Sequence, residues 1–436
     1  MEERLLQFIW EYQYFNQREL ATEEGESVRI MSPGAFNGNQ GPDFLGASIR
    51  IGHTTWTGAI EIHVNRSDWK RHKHSGDPHY QPVILHVVWE NDRTAGDSSI
   101  PLLVLKSRVS KVLLGKYREW MKGGTFIPCE RQLAKVWPPV RVGFLEKLVE
   151  ERLKRRAHYI RSCLEKNQGH WEETAWWLMA RNFGLPVNGE AFESIARSIP
   201  YALLMRLRTE PVSLEALLLG QAGLLNNSKR PEGTRKAQGE NAETDDGYPG
   251  LLRKEYAHLR LKYTLSPAPL PLLFLRMRPA HFPVIRLSQL GALFSRQGSW
   301  CALIREARWP GELDVLLSVH ASPYWEGHYT MGKPSPFRVK ALGEGMKRSL
   351  ITNSFIPLLY AYGCLRGERV MREKALGWLR VMPAEKNAII TKWRNLGITA
   401  GSALDTQGLL ELKGSYCGPK RCLDCAAGKV LFSGIL

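Results

Sequence analysis

The chain has 436 residues, 43% of them hydrophobic, and carries 60 Lys and Arg against 43 Asp and Glu, a formal net charge of +17. That length exceeds what one hydrophobic core usually serves, and the apolar content suffices for packed cores, so a disordered chain is excluded and two or three domains are expected. The basic balance favours a polyanionic partner, nucleic acid first and an anionic membrane surface second, and it says nothing about protein partners. No apolar run reaches the roughly 18 residues of a membrane helix, so no membrane-spanning helix is expected.

The opening MEERLLQFIWEYQYF begins acidic and has neither a basic leader nor a small-residue cleavage site, so a cytoplasmic location is expected. Residues 3–15 place Leu5, Leu6, Phe8, Ile9, Tyr12 and Phe15 at helical spacing, which predicts a first amphipathic helix that also carries Glu11. From Val28 to Leu105 the pattern becomes short β-type runs: SVRIM, ASIRIG, TWTGAIEIHV, PVILHVVWE and PLLVLKS. NGNQGPD and ENDRTAGDSS separate them as turns, and the second reads as a hairpin connection between the last two runs.

From about Ser110 the reading is helical. VGFLEKLVEERLKRRAHYIRSCLEKN forms one long amphipathic helix, with Lys154, Arg155 and Arg156 on a solvated face. WEETAWWLMARNF, GEAFESIARSIPYALLMRLR and SLEALLLGQAGLL follow as helices, with Trp176, Trp177, Leu178 and Phe183 assigned to the core. Residues 227–248 hold almost no large apolar side chain and are expected to form a mobile loop. Beyond it EYAHLRLKY is helical, and LFLRMRPAHFPVIRLSQLGALF gathers Arg276, Arg278 and Arg286 around His281. Guanidinium forks match phosphate oxygens, so this group is a candidate for nucleic-acid binding; the alternative is pairing with acids in a domain interface. More helices lead to a C-terminal cysteine cluster. The expected class is α+β: a mixed-sheet domain with flanking helices over 1–137, then a large, mostly helical domain over 138–226 and 249–436.

The chemistry concentrates between Gly41 and Glu90, which holds six of the twelve histidines: His53, His63, His72, His74, His79 and His86. In an alternating strand, residues two apart share a face, so Glu61 and His63 project together while Ile62 and Val64 face a core. Asp43, at a turn into the sheet, is placed to meet Glu61. Pro42-Asp43 followed by Glu61-x-His63 resembles the PD-(D/E)xK nuclease superfamily. That resemblance implies that Asp43 and Glu61 hold magnesium or manganese, and that His63 stands where the superfamily has a lysine to orient or activate the attacking water. Lys70 is the nearby candidate to supply the missing cation, and Glu11 is either the acid this superfamily often keeps on its first helix or a surface glutamate. Arg66, Lys70, Arg71 and Lys73 follow as a run suited to a phosphate backbone, with Trp69 stacking a base or simply packing.

A different reading takes His72-x-His74 with Asp77, His63 and His86 as a transition-metal site on a cupin-like β-barrel acting on a small molecule. A plainer one leaves His72, His74 and His79 in loops, His86 in a core, and the chain as a non-catalytic nucleic-acid-binding or scaffold protein.

Seven cysteines, scattered apart from one tight group, argue against a disulfide framework. Cys417-x4-Cys422-x2-Cys425, among glycines and basic residues, fits a metal knuckle for zinc or an iron–sulfur cluster. Its fourth ligand is sought first at Cys129, then at Cys364 and Cys163. One early cysteine with three late ones resembles the iron–sulfur staple of certain RecB-like nucleases, at a different spacing. Such a site would join the tail to the N-terminal region.

Taken together, GPDF, EIHV, SDWxxHxH, VILHVV, RxRPAxFPxIRL, PAEKN and YCxxKRCLDC resemble an uncharacterised bacterial family of unknown function over nearly the whole chain. Membership implies a bacterial cytoplasmic protein and transfers no activity.

Overall fold

The amphipathic pattern of the first residues produces helix α1, Glu3–Glu11, in which Leu5, Leu6, Phe8 and Ile9 are all buried. It stops short of the expected residue 15 because Gln13 takes a left-handed backbone, φ +54°. These observations come from a computed structural model that describes residues 1–37, 41–72, 77–92, 100–225, 247–274 and 277–433. It divides into two compact units. One comprises Met1–Phe144, Leu396–Ile398 and Leu412–Leu436; the other comprises Leu145–Asn395 and Thr399–Glu411. Leu412–Leu436, and with it the cysteine knuckle, therefore groups with the sheet and not with the helical region to which it was assigned.

The first unit is built on a mixed sheet of β1 Val28–Ser32, β2 Ala35–Phe36, β3 Phe44–Ile51, β4 Thr54–Asn65, β5 Val83–Glu90 and β6 Leu102–Val104. The order is β1-β3-β4-β5-β6, with β2 also on β3. β1, β3 and β4 run antiparallel, whereas β4–β5 and β5–β6 are parallel. The expected hairpin between the last two runs is thus corrected: His86 pairs with Leu102 in a parallel register, and parallel neighbours cannot be joined by a tight turn. Residues 93–99 of that connection lie outside the described residues. The path is open among the described residues and partly parallel, which also removes the cupin-like barrel, an antiparallel double sheet. A bulge in the β3–β4 ladder between Phe44 and Ala47, where Gly46 has φ +68°, marks the end of β3 that carries Asp43. α1 packs on β4, and the single turn α2, Asp68–Arg71, follows β4.

Helix α3, Lys111–Lys122, completes this part of the unit, and α4 runs Leu133–Lys166, starting before the expected long helix. In the second unit Lys154 and Arg155 are exposed as expected, while Arg156 is half-buried. Helices α5 Trp171–Phe183, α6 Gly189–Arg197, α7 Tyr201–Arg206, α8 Pro211–Gln221, α9 Tyr248–Lys262 and α10 Pro283–Arg296 share one large core. Trp176, Trp177, Leu178 and Phe183 lie in it, each at 6% exposure or less. Of the expected loop 227–248, all but Gly247 and Tyr248 lies outside the described residues; Tyr248 opens α9 and its hydroxyl donates to Glu215 over 2.6 Å. No described helix is long and apolar enough to cross a membrane.

Candidate functional site

Asp43 sits one residue before β3, directly beside β4. Its Oδ2 accepts the Ile62 N–H over 3.0 Å, its Oδ1 accepts from the Gln7 amide of α1 over 2.8 Å, and its own N–H donates to Glu61 Oε2 over 3.1 Å. The Glu61 carboxylate thus lies against the Asp43 backbone and acts electrostatically with the Asp43 carboxyl, which is held by the β4 backbone on one side and by α1 on the other. Burial pushes Glu61 up to about 9, and the neighbouring Asp43 adds to the rise. Burial likewise pushes Asp43 up to about 7, with Glu3 repelling it. Glu3 is itself raised, chiefly by burial.

Three carboxyl groups thus share one partly dry region, and the one that α1 brings to it is Glu3. Eight residues separate it from Glu11 along α1, roughly 12 Å of rise, so only one of the two can reach that region. The usable signal was the four-residue spacing of Glu3 and Gln7, which places both on one face of a helix whose Gln7 is only 8% exposed. Tyr80 is the other residue that sequence reasoning missed. Burial pushes its hydroxyl up to about 12, and Glu61 and Asp43 both act on it.

Glu61 and His63 share a face of β4 as expected, yet that face is covered: Glu61 is 5% exposed and His63 1%. The parallel register sets His86 of β5 beside Glu61. His63 Nδ1 lies 2.9 Å from His86 Nε2, so one imidazole donates to the other. On its far edge His63 Nε2 is 3.2 Å from His72 Nδ1 and 3.4 Å from Glu61 Oε1. The row runs from the buried His86 through His63 to His72, which is exposed just after α2. His86 is buried, as expected of a core histidine, and its ring is satisfied by His63 within this row. Trp69 packs, 9% exposed, against His86, His63 and Tyr80.

The basic residues after β4 are placed less uniformly. Lys70 and Arg71 are exposed on α2, and Arg66 is half-buried; Arg71 reaches Asp68 over 2.9 Å and acts on Glu3. Lys73 and His74 lie outside the described residues, as does Arg276. His53 and His79 are exposed, with His79 paired to Asp77 at 2.8 Å. In the second unit, Arg278 is exposed before α10. Arg286, half-buried on α10, donates to Gln289 over 3.1 Å and meets His281 at 3.3 Å. Burial lowers His281, and the charges of Arg286 and Arg278 lower it further, so these groups form one cationic cluster. Among the described residues neither arginine has a carboxylate salt-bridge partner.

Cys129, just before α4, stands within electrostatic range of Cys417, Cys422 and Cys425, the three cysteines of the knuckle. Cys364 and Cys163 lie in the second unit. Burial pushes Cys129 and Cys422 up to about 12, and it raises Cys417 and Cys425 as well. All four carry free thiols. Among the described residues no group of three or more His, Cys, Asp or Glu side chains is closed around the position of a metal ion. Glu3, Asp43 and Glu61 offer the oxygen donors that hard divalent cations take, and the four cysteines offer the sulfur donors of softer ones.

Fold and site together define an α+β protein whose mixed sheet carries a buried cluster of carboxyl and imidazole groups. The chain belongs to the family described as Protein of unknown function (DUF2851), whose model matches residues 3–388. No curated protein and no solved structure matches it.

Proposed function

We propose that the first unit is a divalent-metal-dependent phosphodiesterase acting on nucleic acid. The observation that carries this reading is the meeting of Asp43 and Glu61, hydrogen-bonded through the Asp43 N–H at 3.1 Å and joined electrostatically by Glu3. Carboxyl groups gathered in one partly dry region offer hard oxygen donors, and these suit magnesium or manganese. When bound, such an ion polarises a phosphoryl oxygen and lowers the pKa of water. The chain's own part is positional. Ile62 N–H and Gln7 fix the Asp43 carboxyl, and the Asp43 N–H fixes Glu61.

His63 stands where the resembled superfamily keeps lysine, and it brings a different capability. An imidazole supplies no permanent charge, but backed by His86 and followed by His72 it can accept a proton in the buried site and hand it toward solvent. The net charge of +17 and exposed Lys70 and Arg71 beside the site favour a phosphate backbone as substrate.

The test is cleavage of single- and double-stranded DNA and RNA with magnesium or manganese, by wild-type protein and by Asp43→Ala and Glu61→Ala. Metal-dependent cleavage lost in both variants, with nucleic-acid binding kept, is the expected result. Absence of both binding and cleavage with any divalent ion overturns the reading. A catalytically silent nucleic-acid-binding protein is the second reading, favoured because both Asp43 oxygens already accept hydrogen bonds from the chain itself. In that case binding would be unmoved by the acidic variants, but it would weaken, with a salt slope smaller by about one per charge, in Arg278→Ala and Arg286→Ala.

A further inference from the structure

The knuckle at the C-terminus is tied to the chain near Cys129 by charged side chains as well as by packing. The Lys413 ammonium donates to the Phe126 carbonyl over 2.7 Å and lies over the Phe126 ring, and the Lys420 ammonium donates to the Met121 carbonyl. Both are anchored within a few residues of the knuckle thiols, and they act on Cys417 and Cys422 respectively, as Lys429 does on Cys425.

The backbone is shaped around the sulfurs. Gly418 N–H donates to Lys413 O over 2.8 Å and Arg421 N–H to Tyr416 O over 2.8 Å, and Lys420 adopts a left-handed φ of +58° between the first two cysteines. The N–H groups of Ala427 and Gly428, in the first turn of the helix Ala426–Ser433, donate to Cys425 sulfur. That helix passes so close to the knuckle that a Cβ on Gly428 would come within 1.9 Å of the Cys422 carbonyl oxygen. Thiols buried merely as small hydrophobes need neither ammonium neighbours nor N–H groups aimed at sulfur. Thiolates do, because a tetrathiolate around a divalent ion carries a net negative charge that neighbouring cations and N–H···S bonds offset.

We propose that Cys129, Cys417, Cys422 and Cys425 are the ligands of a structural metal centre, a zinc ion or an iron–sulfur cluster, that fastens residues 412–433 to the N-terminal part of the first unit. Cys129 stands within electrostatic range of all three knuckle thiols, which places the four sulfur donors in one region of the first unit. This site stands independently of any chemistry at Asp43 and Glu61.

The experiment uses the full chain, purified once in air with added zinc and once without oxygen from iron-rich cells. Metal and sulfide are measured per chain, and Co²⁺ is titrated into the metal-free protein. About one zinc, or about four iron with matching sulfide, is expected per chain, together with the charge-transfer absorption of thiolate-bound cobalt. Cys129→Ser and Cys422→Ser should drop the content to background, while Cys364→Ser, which changes an exposed cysteine of the second unit, leaves it intact. Lys413→Met keeps every sulfur and should weaken cobalt binding about tenfold, which guards against a simple failure to fold. Background metal in both preparations with no cobalt–thiolate absorption overturns the proposal, and so does metal content that survives Cys129→Ser.

Discussion

Replacing Glu61 by glutamine (E61Q) should stabilise the protein above neutral pH while removing the activity proposed for it. Glu61 is 5% exposed, and burial together with Asp43 pushes its carboxyl from 4.5 up to about 9. Between those values the folded chain keeps a proton that the unfolded chain has released. For an acid raised on folding, stability is greatest below the unfolded value and falls as pH rises, by about 1.4 kcal/mol per pH unit. From pH 5 to pH 8 that is on the order of 4 kcal/mol for Glu61 alone; Asp43 adds a slope of the same sign that ends near pH 7, where its folded carboxyl ionises. Glutamine keeps the oxygen that accepts the Asp43 N–H and has no proton to lose. The two proteins should be nearly equal in stability at pH 5, and E61Q should be the more stable by on the order of 4 kcal/mol at pH 8. Pulse proteolysis in graded urea, in EDTA, at pH 5, 6.5 and 8, with peptides from β4 and β5 as the readout, measures this in the unit concerned. Parallel pH slopes for the two proteins would refute the argument that Glu61 is held protonated by its surroundings.

Three further outcomes follow from the same contacts. Glu3→Ala should lower metal-dependent cleavage and also lower the apparent pKa of Asp43 and Glu61 read by infrared carboxyl bands, whereas Glu11→Ala should do neither. His86→Ala leaves His63 Nδ1 facing a cavity, and the expected cost is about 1–3 kcal/mol of stability with about a tenfold loss of cleavage, checked by urea unfolding and single-turnover rates. Gly428→Ala puts a methyl group against the Cys422 carbonyl and should destabilise the chain by about 1–3 kcal/mol; an unchanged melting temperature would contradict the close approach of that helix.

Short-range pattern made part of this site legible and long-range pairing made the rest. Period-two alternation is local, so it placed Glu61 and His63 on one face of β4 correctly. It also left that face open, because nothing within the strand announces that His86, Trp69 and α1 will cover it. The parallel pairing of β5 and β6 could not be read from the turn-like residues between them, since glycine and aspartate are equally at home in a longer connection. That Glu3 reaches this region was hidden for the same reason: helical periodicity fixes a helix's own faces but not which end of it meets the sheet. The cysteines behaved differently. Spacing alone marked Cys417, Cys422 and Cys425, and only the fold brings Cys129 to them across the length of the chain.

The histidine at position 63 alters the charge balance of the site. Glu3, Asp43 and Glu61 bring up to three negative charges. Among the described residues the positive groups acting on them include His72, Arg4, which also pairs with Asp424, and Arg71, which also pairs with Asp68. A lysine at this position would place a permanent positive charge against Glu61, whereas His63 next to His86 gives one only when the imidazole pair holds an extra proton. The acidic group must then stay protonated or take its positive charge from solution. This ties divalent-ion dependence and pH dependence to one cause: magnesium or manganese should stabilise the first unit more at pH 8 than at pH 6, because the carboxyl groups have more protons to give up at the lower pH. His63→Lys, if it folds, should flatten that difference by supplying within the chain the charge that the wild-type site draws from outside. A wild-type protein stabilised equally by metal at both pH values would show that its carboxyl groups are not what the ion meets.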